Sequence, residues 1–132
     1  MASRSLDDLA APVQAAALAM LHQCKAAGID LLIYCTLRSN IEQGDLYAQG
    51  RTKPGVVVTN AKPGQSMHNP DTNGQAWAFD AVPLVAGKAA WNNHSLVEKM
   101  GAIGEACGLQ WAGRWRGSLK ERVHFQLTKE GL

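Results

Sequence analysis

The 132-residue chain lacks any apolar run long enough to cross a membrane, so no spanning helix and no stable membrane insertion are expected. It also lacks a basic segment ahead of its first apolar stretch. Val13–Leu21 is alanine-rich, interrupted by Gln14, and preceded by Asp7, Asp8 and Pro12, which marks a helix rather than a signal peptide. Synthesis in the cytoplasm without an export signal is the expectation. Cysteine is scarce: Cys24, Cys35 and Cys107 form an odd set with no C-x-x-C spacing. That excludes a disulfide framework, and because each lies in an apolar element all three are expected to be buried, reduced thiols. Dense positive charge is missing as well. Thirteen Lys and Arg against eleven Asp and Glu leave a net charge of +2, and only Arg114, Arg116, Lys120 and Arg122 cluster. A nucleic-acid partner is therefore not expected, whereas a mild positive balance suits an anionic polymer. Repeats, low-complexity tracts and linkers are absent. With 46% hydrophobic and 18% charged residues, 1–132 reads as one globular domain and a monomer, able to bury a core without cross-links.

What is present is a series of short periodic elements. Leu6, Leu9, Val13, Ala17, Met20, Leu21 and Cys24 have helical spacing, with Pro12 opening the main helix and Gly28 ending it. Ile29–Cys35 is apolar on both faces and predicts a buried strand. Ser39 and Glu42 have capping-box spacing for a helix closing at Gly50, and Ser95 and Glu98 repeat that spacing for a helix closing at Gly108. Val56–Thr59, Ala76–Val82, Leu109–Trp111 and Val123–Leu127 predict strands, with a turn at Pro63 and Gly64. The order implies an α+β fold, a small mainly antiparallel sheet with packed helices.

Of four histidines, His22 falls inside the first helix and His94 beside a helix start, places that suit surface or capping residues. His68 lies in a turn-rich stretch leading to the strand that carries Asp80, and His124 opens the last strand. A catalytic zinc site takes three protein ligands, commonly two imidazoles and a carboxylate, with one position left for water. His68, Asp80 and His124 supply such a set, although two histidines and an aspartate occur in most chains of this length.

The motifs in series are more specific. Ser66-x-His68, Ala78-Phe79-Asp80 and Glu121-x-x-His124-Phe125 resemble the zinc signature of the D-alanyl-D-alanine carboxypeptidase and L-alanyl-D-glutamate endopeptidase family. That family shares its fold with lysostaphin-type enzymes and the hedgehog signalling domain. Leu37-Arg38-Ser39, Glu42-Gln43, Leu46–Thr52, Lys62-Pro63-Gly64 and Gly108–Trp115 are similar to the phage endolysins of the family. The likeness runs from about Ile29 to Leu127. One departure stands out: eleven residues separate His68 from Asp80, where the family usually reads S-x-H-x-x-x-x-A-x-D. Residues 69–74 look like an inserted loop, which a fold tolerates at low cost. They bring in Asp71 as a rival carboxylate, but Asp80 on a strand is the better-positioned ligand.

The resemblance implies a hedgehog/D-Ala-D-Ala peptidase-like fold, a zinc ion on His68, Asp80 and His124, and amide hydrolysis of the peptidoglycan stem peptide. It implies Glu121 as general base, with pairing to Arg122 or Lys120 as the ordinary alternative. Arg38 and Ser66 match family positions near the metal; otherwise they are a surface charge and a turn residue. Trp111, Trp115 and Gln43 are candidate substrate-binding residues, with core packing the alternative for each. Tyr47 and Arg51 also match family positions, where packing under the site accounts for them equally well. The implied activity is a bacteriolytic phage endolysin cleaving the L-alanyl-D-glutamate bond, reaching the wall after the membrane is opened. A D-alanyl-D-alanine carboxypeptidase or dipeptidase is the nearest rival, and a non-catalytic zinc module that binds wall fragments or a protein is a rival of another class.

Overall fold

The polar alternation of the last strand decides where the chain puts its two faces. In this computed structural model, which describes residues 2–116 and 121–128, the elements run α1 (Ala11–Ala26), β1 (Asp30–Cys35), α2 (Asn40–Ala48), β2 (Ala78–Val85), β3 (Lys88–Ala89), α3 (His94–Ala106), β4 (Gln110–Trp111) and β5 (His124–Gln126). The strands form one antiparallel sheet of order β1-β2-β5-β4, with β3 pairing β2. This is the α+β fold that the periodicity implies.

β2 and β5 pair Ala78 with Gln126, Phe79 with Phe125, and Asp80 with His124. Because side chains alternate across a strand, Phe79 and Phe125 turn to one face while Asp80, His124 and Gln126 share the other. The two phenylalanines stack at 5.5 Å between centroids and are fully buried. Each such burial stabilises by about 1.5–3 kcal/mol. They join Val13, Ala17, Met20 and Cys24 of α1, Val97 and Met100 of α3, and Trp111 in the core. α3 approaches the sheet closely through glycine. A Cβ on Gly101 would lie 2.3 Å from the Trp111 ring, and one on Gly104 would lie 2.5 Å from Phe125.

Several expected boundaries hold. Pro12 sits in the first turn of α1, and Ser39 and Glu42 make both halves of their capping box. Five expectations change. The strand expected to be buried is not: β1 lies at the sheet edge and is exposed or half-buried from Asp30 to Tyr34. Ser95 does not cap α3: Asn93 does, accepting from the Leu96 N–H. β2 does not stop at Val82, because the Pro83 carbonyl accepts from Ala90 N and its nitrogen therefore faces away from β1, where its missing N–H breaks no ladder bond. It continues into a two-residue turn at Ala86 (φ 52°) and Gly87 (φ 77°), the type I′ geometry that suits a hairpin. Val56–Thr59 forms no strand. Finally, Cys107 is only half-buried, since it caps the C-terminus of α3 instead of lying within it; Cys24 and Cys35 are buried. No helix among the described residues is long and apolar enough to cross a membrane.

Candidate metal centre

The register of three strands lines up Cys35, Asp80 and His124, since Asp80 is the partner of Cys35 on β1 and of His124 on β5. His68 arrives from the loop between α2 and β2. That loop is tied along the sheet by Arg38 N donating to His68 O and Trp77 N donating to Met67 O, each at 2.8 Å. Asn69 tightens it from inside: its side-chain oxygen accepts from Gly64 N and Ser66 N, and its amide donates to Arg38 O.

His68 Nε2 and His124 Nδ1 then meet the same oxygen, Asp80 Oδ1, at 3.1 and 3.2 Å. The two rings stand edge to face at 5.0 Å. The far nitrogen of each ring is also engaged. His68 Nδ1 donates to Thr36 O at 2.8 Å, and His124 Nε2 donates to Gln126 Oε1 at 2.8 Å. Gln126 is held in turn, its amide donating to Gln110 Oε1. These outer bonds direct the lone pairs of Nε2 on His68 and Nδ1 on His124 toward the carboxylate, the arrangement a metal ligand set needs. The donor set, two imidazoles and one carboxylate on converging atoms, fits a divalent cation such as zinc.

Cys35, His68 and Asp80 also each offer a ligand atom within 4.8 Å of the others. Cys35 Sγ lies 3.6 Å from His68 Nδ1, the nitrogen that faces Thr36 O, so the thiol stands behind the imidazole and not on its Nε2 side.

The electrostatics match a tight pair. Burial pushes His68 down, but its hydrogen bonds to Asp80 and Cys35 and the Asp80 charge outweigh it and raise the imidazole to about 10. Burial likewise pushes the Asp80 carboxyl up, yet the two histidines hold it well below the usual carboxylate range. Without a metal, a proton on His68 fills the place between Nε2 and Asp80.

Asp71 is elsewhere. Its Oδ1 accepts from Asn73 N and Gln75 N, and its Oδ2 accepts from Trp77 Nε1 at 2.8 Å, so it closes the inserted turn and leaves Asp80 between the histidines.

A cleft of about 970 Å³ opens over this cluster, lined in part by Arg38, Ser66, Trp115 and Glu121. Glu121 Oε2 lies 3.6 Å from His124 Nδ1, and its side chain is 51% exposed at the cleft mouth. Arg38 makes no ion pair among the described residues; its guanidinium donates to Gln43 Oε1 and approaches Cys35 Sγ. Ser66 Oγ accepts from His68 N, which leaves its O–H free to donate outward. Trp115 lies 5.8 Å from the His124 ring.

Two expected substrate contacts are placed elsewhere. Gln43 is fully buried and joins Arg38 to Ala61 O and Asn69. Trp111 is 2% exposed in the core, its indole N–H donating to Arg122 O. In the basic cluster, Arg114 pairs with Glu105 and Arg122 with Glu98, while Lys120 lies outside the described residues. His22 and His94 are exposed and do not line the cleft.

Sequence reasoning missed Thr36, Asn69, Gln110 and Gln126. Gln126 carried a usable signal, because a residue two places after His124 on a strand shares its face. Thr36 carried none, since its contribution is a backbone carbonyl.

Comparison with known proteins adds three findings. Residues 7–118 match the family model described as VanY, D-alanyl-D-alanine carboxypeptidase. The peptidoglycan L-alanyl-D-glutamate endopeptidase CwlK of Bacillus subtilis (strain 168) is 35% identical over 108 residues, 76% of this chain. The chain spans 62% of the length of that relative. Among solved structures, the Serratia marcescens L-Ala D-Glu endopeptidase ChiX superposes with a TM-score of 0.68 at 21% identity, over 98% of this chain and 90% of that one, and so shares its fold.

Proposed function

This chain belongs to the VanY family of D-alanyl-D-alanine carboxypeptidases, and on that premise we propose that it is a zinc-dependent peptidoglycan peptidase cleaving the L-alanyl-D-glutamate bond of the stem peptide. It acts as a monomeric endolysin of the phage type, made in the host cytoplasm and reaching the wall once the membrane is opened. The observation that carries this reading is the convergence of His68 Nε2 and His124 Nδ1 on Asp80 Oδ1, with both far nitrogens tied. The name of the curated relative favours the L-alanyl-D-glutamate bond over the terminal D-alanyl-D-alanine bond.

His68, Asp80 and His124 hold the metal. When bound, zinc supplies a Lewis acid that polarises a carbonyl and lowers the pKa of water from 15.7 to about 7. Glu121 removes a proton from the attacking water as the new C–O bond forms, then delivers it to the amine as the C–N bond breaks. Its exposure at the mouth, within 4 Å of a ligand nitrogen, suits a group that must meet both water and leaving group. Arg38, a cation without a carboxylate partner among the described residues, stabilises the charge on the carbonyl oxygen or holds a substrate carboxylate. Gln43 fixes the position of Arg38 from below. Ser66 directs its O–H toward the substrate, and Trp115 supplies an apolar wall.

Arg38 is also the observation that favours a second reading, exopeptidase action on a terminal D-alanine, whose free carboxylate it suits. Glu121→Ala tests the catalytic claim. The expected result is a loss of about 10²–10⁴ in kcat on a soluble stem peptide with the zinc content unchanged. Undiminished cleavage by that variant overturns the mechanism and turns attention to the non-catalytic zinc module.

A further inference from the structure

Three valines in a row, Val56, Val57 and Val58, are 78%, 48% and 51% exposed. A β-branched run of that kind normally sits in a sheet, where its side chains pack and its backbone pairs. Here it does neither, yet it is held firmly at both ends. Gln49 Nε2 donates to Val56 O at 3.1 Å, and Arg51 donates to Thr59 O at 3.0 Å and to Asn60 Oδ1. Arg51 is itself fixed by the Tyr47 carbonyl and by the Tyr47 ring, 3.9 Å below its guanidinium. Gly50, at φ +79°, lets the run lie against α2, since a Cβ there would come within 2.6 Å of Val57 N. Between those anchors, the backbone N–H and C=O groups of Val57 and Val58 make no hydrogen bond among the described residues. Val57, Val58 and Thr59 line the same cleft as His68, Asp80 and Glu121.

We propose that Val56–Thr59 is the docking edge of the cleft, on which the stem peptide lies extended with its main chain paired to the N–H and C=O of Val58, since neighbouring residues of an extended run turn theirs to the opposite side. This rests on the peptidase reading above and adds the substrate's orientation to it. Strand addition to a preformed edge supplies affinity through main-chain bonds, while flanking side chains select what the peptide carries. The exposed valine side chains form an apolar wall suited to the methyl groups of alanine residues. Arg38, on the same cleft, suits the D-glutamate carboxylate. Arg51 is a positioning residue: it meets no substrate but holds the end of the edge at Thr59 and Asn60.

The test uses two readouts. In ¹⁵N-labelled Glu121→Ala protein loaded with zinc, adding an intact soluble stem peptide is expected to shift the Val58 amide and slow its hydrogen exchange. In the otherwise native chain, Val58→Pro removes one N–H and is expected to raise KM about fivefold or more, as one lost hydrogen bond requires, with kcat within twofold. Val58→Thr, which keeps the N–H and turns one wall methyl into a hydroxyl, is expected to raise KM by less than Val58→Pro does. A Val58 amide that stays unmoved while those near Trp115 and Arg38 shift would overturn the proposal, whatever the proline variant does. So would protection of that amide in the free protein that grows with concentration, which marks pairing between two copies. If the peptide binds along this edge but the parent chain does not cleave it, the docking edge stands and the peptidase reading fails.

Discussion

At the scale of single residues, the centre is a matter of which nitrogen carries which proton. His68 and His124 each spend one ring nitrogen on an outer acceptor and turn the other to Asp80 Oδ1. Gln126 is the outer acceptor that a substitution can remove. Gln126→Leu is expected to weaken zinc binding about 10–100-fold, read by competition with a fluorescent chelator, while the fold persists. The pH dependence of the metal-free protein follows from the same pair. The folded-state pKa of His68 is raised from 6.5 to about 10, so its stabilising contribution is complete below about pH 6.5 and fades as pH rises toward 10. Asp80 is depressed, so its contribution is complete above its ordinary value of 3.8 and is lost as pH falls below that. The metal-free protein is thus expected to melt highest between about pH 4 and 6.5 on account of this pair, with Tm falling on the alkaline side in a titration by circular dichroism. A metal-free Tm that climbs steadily from pH 6.5 to 10 would contradict the His68–Asp80 ion pair. Sequence named His68, Asp80, His124, Glu121, Arg38, Ser66 and Trp115, all of which border one cleft. It misplaced Gln43 and Trp111, because a residue that touches substrate and one that holds such a residue from behind look alike in a motif.

At the scale of elements, the sheet register does the positioning and the glycines of α3 allow the helix to lie close enough. Gly104 is in contact with Phe125, the core-side neighbour of His124 on β5. Gly104→Ala gains up to about 1 kcal/mol of helix propensity. It also drives a methyl into a fully buried ring, which costs about 1–3 kcal/mol or more. A net loss of stability in urea denaturation is expected, and a gain would show that α3 stands farther from β5. Elements with a local cause were legible: α1 from its spacing and Pro12, α2 from its capping box, β2 and β5 from their short apolar runs. Those that depend on distant partners were not. Val56–Thr59 has strand composition but finds no strand beside it, and its ends are taken by Gln49 and Arg51. The Ala86-Gly87 hairpin escaped because alanine at positive φ is not a turn signal. Asn93 preempts Ser95 as cap by accepting from the Leu96 N–H.

At the scale of the whole molecule, one face of the sheet carries α1, α3 and the core while the other carries the metal cluster beneath an open cleft. The loop of residues 69–74 leaves this plan intact because Asp71 folds it back on itself and onto Trp77. The central claim is that this cleft cuts peptidoglycan stems with the help of a metal. Its most direct test is to digest purified Gram-negative sacculi with the protein, with and without a chelator, and to identify released muropeptides by mass spectrometry. The account predicts products split between L-alanine and D-glutamate, lost on chelation and restored by added zinc. Loss of only a terminal D-alanine would move the assignment to the carboxypeptidase reading, and intact sacculi after treatment with zinc-loaded protein would contradict the account.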